Sequence, residues 1–121
     1  MRRAALLVLA LALALTGCGQ PKEPAKQAET LGSISTEGRV VADNVVSGRT
    51  TEPFVRVHSA ALAEQARSLE QAAATPRLRS LAERISGQLE ALSDHADDKG
   101  LANRVAARLE RASRTAEELT R

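Results

Sequence analysis

The chain has 121 residues, 43% of them hydrophobic and 26% charged, with 17 Lys and Arg against 15 Asp and Glu. It contains one cysteine, one aromatic residue (Phe54) and no Trp or Tyr. A chain of this make-up has room for one small domain, forms no intramolecular disulfide, and lacks the basic footprint and stacking platforms of a nucleic-acid binder.

At the start of the chain, Arg2 and Arg3 precede an apolar run from Ala4 to Leu15, and Thr16, Gly17 and Cys18 follow. Crossing a bilayer takes roughly 20 apolar residues, so this shorter run reads as the core of a cleavable export signal behind a cationic start. The stretch Leu15-Thr16-Gly17-Cys18 resembles the lipobox of bacterial lipoproteins. That resemblance implies cleavage between Gly17 and Cys18, a diacylglyceryl group on the Cys18 thiol through a thioether, and an N-acyl chain on the new amino group. A thiolate is the side-chain nucleophile suited to such alkylation, and two or three acyl chains make a lasting anchor where one is marginal. The expected location is therefore the outside of the cell membrane or, in an envelope of two membranes, the outer one. Gly19 favours the outer membrane, because in enterobacterial lipoproteins an Asp at that position favours the inner. Removing Arg2 and Arg3 from the 17 basic residues leaves 15 against 15 acidic ones, so the mature chain is neutral.

Residues 18–32 are polar and punctuated by Pro21 and Pro24, which predicts a lipid-anchored flexible linker. Residues 33–52 support two readings. Val40, Val41, Val45 and Val46 bracket Asp43-Asn44 as a hairpin would, whereas Ile34, Val41 and Val45 share a helical face ending near Gly48. The helix fits better with the helical pattern that follows.

From residue 53 onward the pattern is regular. Pro53 suits a first helical turn, and Val55, Leu62 and Leu69 alternate with Ser59, Ala66 and Ala73 along one stripe, predicting a helix over about 53–74. Thr75-Pro76 stops that helix and caps the next, over about 76–96, whose stripe is Leu78, Leu81 or Ala82, Ile85, Leu89 and Leu92. Asp97 and Asp98 offer a cap for a third helix over about 98–120, lined by Leu101, Val105, Leu109, Ala112, Ala116 and Leu119. Short connections between long helices force neighbours to run antiparallel. The expected fold class is all-α, with residues 53–121 forming a small antiparallel three-helix bundle.

Chemistry-bearing motifs are scarce. With Gly100 as the central Gly of a calcium loop, the first and fifth ligand positions fall on His95 and Lys99, so Asp94-His95-Ala96-Asp97-Asp98 reads as a solvated turn and no metal is expected. His58 beside Ser59 has no accompanying acid motif and reads as a packing residue. Arg104, Arg108 and Arg111 fall on one face of the third helix, opposite its apolar stripe, and form the candidate contact with an anionic surface or polymer. The expectation is a non-catalytic envelope protein with a structural or protein-interaction role and no cofactor beyond its lipid. Its expected partners are the membrane, an envelope protein or a second copy in a homo-oligomer. The alternative is an envelope binding module for a small ligand, a metal or an anionic envelope polymer.

Overall fold

Gln27, Leu31, Ile34, Gly38, Val41 and Val45 follow one another at intervals of four and three residues, and Ala28, Ser35 and Ala42 run beside them at every seventh position. Both series are buried on one face of a single helix, α1 (Pro24–Ser47). The structure, a computed structural model, describes residues 21–121; the export signal, Gly17, Cys18 and Gly19 lie outside the described residues. Of the described residues 84% are helical, and none forms a strand.

Helix α1 corrects two expectations. The flexible linker assigned to residues 18–32 gives way to helix from Pro24, and the choice between hairpin and short helix over 33–52 resolves as the second half of this longer helix. The cause is tertiary. A seam of Gln, Gly, Ser and Ala carries little hydropathy of its own, and it is helical because it has helices to pack against. Pro24 occupies the first turn, where its missing N–H costs nothing. Gly48, at φ 69°, closes the helix: its N–H donates to the Val45 carbonyl and that of Arg49 to the Asn44 carbonyl.

The other helices are α2 (Glu52–Gln71), α3 (Pro76–Asp94) and α4 (Lys99–Thr120), close to the expected bounds. The Thr75 hydroxyl accepts from the Leu78 N–H at 3.2 Å, and Asp98 Oδ1 accepts from the Leu101 N–H at 2.9 Å, capping α3 and α4. Every large apolar residue of the three predicted stripes is buried or packed against the core. Among the described residues, the expected three-helix bundle is thus three quarters of a four-helix one, with a single core spanning all four of these helices.

The packing is uneven. α1 lies chiefly on α4 and α2 chiefly on α3, α3 touches α4 more sparsely, and α2 and α4 stand diagonally apart without contact. Along the α1–α4 seam, Gly32 faces Ala116, Thr36 Oγ1 lies 3.4 Å from Ser113 Oγ, and Gly48 faces Lys99, so the two helices run antiparallel. At Gly38 the approach is closest. A Cβ there would lie 2.6 Å from Leu89 Cδ2 of α3 and 2.9 Å from Leu109 Cδ1 of α4, so both leucines rest on bare α1 backbone.

One buried polar side chain fixes the end where the chain enters. Gln27, 1% exposed, donates through Nε2 to the carbonyls of Pro21 and Ala72 and accepts through Oε1 from the Ala74 N–H, each at 2.8 Å. The N-terminal segment, α1 and the α2–α3 turn are held together by those three bonds.

Two measurements check this packing. Gly38→Val should destabilise the bundle by about 1–3 kcal/mol through overpacking, whereas Gly87→Ala, at an exposed mid-helix site with nothing within 4 Å of the added carbon, should stabilise it by up to about 1 kcal/mol; denaturant melts read both. Gln27→Ala should cost about 1–3 kcal/mol, and hydrogen exchange should show the Ala74 amide losing protection before the helix centres do.

Candidate functional site

The catalytic pattern that adjacent His58 and Ser59 suggest does not assemble. The Ser59 hydroxyl is fully buried in the core with no hydrogen-bond partner, while His58 points to the surface, stacks on Phe54 at 5.2 Å and places Nε2 3.0 Å from Glu37 Oε1 of α1. A buried hydroxyl without a base cannot act as a nucleophile. Asp98 is occupied as the α4 cap, and among the described residues no group of three or more His, Cys, Asp or Glu is placed to hold a metal.

Two grooves flank α4, and they differ in charge. On the α1 side a shallow groove of about 520 Å³ has a floor of small residues, Ala28, Gly32 and Ala116, and acidic edges from Glu29, Glu37 and Glu117. On the α3 side, where the helices are further apart, the groove is basic. One segment is lined by Arg84, Gln88, Arg108 and Arg111 above Ile85 and Leu109, and the next by Arg77, Ser80, Arg84, Thr115 and Leu119, each of about 340 Å³. Arg84 lines both, which joins them into one channel along the bundle.

Helical periodicity explains the lining. Arg77, Arg84 and Gln88 are seven and then four residues apart, so they share one flank of α3, and Arg108, Arg111 and Thr115 share the facing flank of α4. This corrects the placement of the basic face. Arg108 and Arg111 lie at the edge of the apolar stripe beside α3 and not opposite it. Arg104 is not brought to the same place: a Cβ at Gly100 would sit 3.6 Å from Arg104 Nη1 and 3.5 Å from Asp98 Oδ1, so the Arg104 side chain turns back toward the start of α4. Arg84 and Arg77 are the groove residues that a single-helix reading misses, because only antiparallel packing sets α3 beside α4.

The groove's charges are uncompensated. Among the described residues, ion pairs join Arg39 to Asp43, Arg56 to Glu52, Arg67 to Glu64 and Glu90, and Arg114 to Glu110, and His58 contacts Glu37. Arg77, Arg84, Arg108 and Arg111 belong to none of them, and no carboxylate lines either segment of the channel. All four are exposed, so their guanidinium groups are hydrated and open to a ligand. Guanidinium supplies fixed forks of donors suited to oxyanions.

The arrangement defines an all-α four-helix bundle with an arginine-lined channel between two of its helices. Compared with protein-family models, with curated proteins and with solved structures, the chain matches nothing.

Four like charges on facing walls repel, so the channel does not stabilise the fold. Arg84→Gln and Arg111→Gln should each leave stability unchanged or raise it by a few tenths of a kcal/mol at low salt, and the gain should vanish near 1 M salt, where the Debye length is about 3 Å. Denaturant melts at two ionic strengths measure both.

Proposed function

We propose that the protein is a lipid-anchored, exported component of the cell envelope with a non-catalytic interaction role, held by Cys18 and engaging an acidic partner through the α3–α4 channel. The observation that carries the interaction role is the channel itself: four arginines on two facing helices without an internal counter-charge. A cleft lined by one sign of charge focuses the field and raises the local concentration of oppositely charged partners. The anchoring half of the reading rests on Leu15-Thr16-Gly17-Cys18 and its likeness to a lipobox.

Anchor and channel fit together spatially. Pro21 is tied to the α2–α3 turn through Gln27, and only Gly19 and Gln20 separate Pro21 from Cys18. Three Cα steps of 3.8 Å limit that span to roughly 11 Å, so an acylated Cys18 holds this end of the bundle close to the headgroups. Pro76 and Leu119, at one end of the channel, belong to the same end of the bundle. The channel opens near the membrane and runs away from it. Of the roles weighed for the envelope module, an anionic polymer is favoured over a small ligand by the channel's length and by its arginines standing on both walls.

Replacing the anchor tests the location. Cys18→Ser should abolish acyl labelling and leave the protein either unprocessed or released into the soluble fraction; cell fractionation with metabolic lipid labelling reads the result. Normal cleavage with membrane retention would overturn the reading.

A further inference from the structure

We infer that the α3–α4 channel binds a linear polyanion bearing phosphate groups, and that Arg77, Arg84, Arg108 and Arg111 are its contacts. The inference rests on the reading of this channel as the interaction surface and adds the chemical class of what enters it.

Three observations select that class. The first is shape: from Arg77 to Gln88 the α3 wall extends over about 16 Å at 1.5 Å per residue, and Arg84 is common to both segments, so the site is a continuous trough and not a single-anion cup. A small anion would fill only part of it.

The second is the character of the floor. Ile85 and Leu109 are 0% exposed and Ala112 is 7% exposed, so the carbon surface in the middle of the trough belongs mostly to the stems of Arg84, Gln88, Arg108 and Arg111 and not to core side chains. An amphipathic partner helix docks by laying apolar side chains into a hydrophobic groove, and here it would meet buried aliphatic side chains roofed by guanidinium groups. Recognition in this trough is ionic and hydrogen-bonded.

The third is the opposition of its walls. Arg84 reaches the channel from α3 and Arg108 and Arg111 from α4, so one group between them is approached from two sides. A tetrahedral phosphate directs its oxygens out of any one plane and so can be met from both walls at once, whereas the two oxygens of a carboxylate and their lone pairs lie in one plane. Ser80, Gln88 and Thr115 add neutral donors along the same walls. A flat bilayer surface touches the convex outside of a bundle more readily than a trough between two helices, so the polymer is favoured over headgroups as occupant.

The test uses the mature, acylated protein in non-ionic detergent, with long-chain inorganic polyphosphate as the probe and fluorescence anisotropy or calorimetry as the readout. Polyphosphate should bind, with affinity falling as salt rises. Orthophosphate at equal phosphate concentration should not displace it. Combining Arg84→Glu with Arg111→Glu should weaken binding by tenfold or more, since removing one charge-assisted hydrogen bond changes Kd by about tenfold. As the control, Arg67→Glu with Arg114→Glu, which carries the same change in net charge outside the channel, should retain most of the binding. Circular dichroism establishes that both double variants are folded.

Equal loss in the two double variants would overturn the inference by showing attraction to net charge alone. Binding of poly-glutamate as tight as that of polyphosphate would overturn it in favour of an acidic peptide. Preferential binding to phosphatidylglycerol vesicles, not displaced by polyphosphate, would overturn it in favour of the membrane surface. None of these outcomes bears on the Cys18 anchor, which fractionation tests separately.

Discussion

The close approach of α1 to α4 is the constraint from which the rest of the bundle follows. Gly32, Ser35, Gly38 and Ala42 bring little side-chain bulk to α1, and Ala112 and Ala116 bring little to α4, so the two backbones come near enough for Leu109 to rest on Gly38 itself. Protein interiors are packed to crystal-like density, and a seam of small residues meets that requirement by drawing the helices together instead of filling a gap with larger groups. Once α1 and α4 are paired in this way, and α2 and α3 through their own apolar stripes, the junctions between the pairs are left wider. The α3–α4 channel is the result of that inequality. A bundle with four equal seams would have no such opening.

The same seam sets the orientation of the chain toward its proposed anchor. With α1 antiparallel to α4 and preceding α2 through a short turn, its N-terminus must lie beside the α2–α3 turn, where Gln27 finds Ala72 and Ala74. A buried amide that satisfies one acceptor and both of its donor hydrogens is worth more to specificity than to hydrophobic stabilisation, since each partner left unpaired in a misregistered helix incurs a desolvation cost. Gln27 therefore acts as a register pin. It also ties down at Pro21 what the sequence presents as a loose linker running to Gly32, so residues 21–32 add no slack between the domain and its proposed anchor.

How much of this was legible before the structure depended on how strongly each helix advertises itself. Leu62, Leu69, Leu81, Leu89 and Leu109 sit in stripes whose period is unmistakable, and the caps at Thr75 and Asp98 stand where side-chain oxygens next to a helix start are expected. Helix α1 was only half legible. Its seam is as regular as the others, but Gln27 and Gly38 occupy two of the core positions, and its lead-in contains two prolines and several charges that in isolation describe coil. A pattern weighted by hydrophobicity cannot see a position that is buried because it is small. The basic site was legible in part for a related reason. Arg108 and Arg111 belong to one helix and could be grouped by periodicity, whereas Arg77 and Arg84 join them only through the packing of α3 on α4, and Arg104, which periodicity includes, is turned away by its neighbours at the start of α4.

Net charge, finally, is a poor guide to what this molecule presents. Residues 21–121 balance 15 basic against 15 acidic residues, yet the balance is struck across the molecule and not at each place on it. Glu29, Glu37 and Glu117 edge the groove on one flank of α4, and Arg84, Arg108 and Arg111 line the channel on the other. Ion pairs elsewhere, such as Arg67 with Glu64 and Arg114 with Glu110, neutralise their own surroundings and leave these two flanks to dominate the field close to the protein. At physiological ionic strength charges beyond about 8 Å are largely screened, so a partner within that distance meets the local sign and not the total. Neutrality as a whole weakens non-specific attraction to any charged surface. The segregated flanks leave local fields of opposite sign on either side of α4.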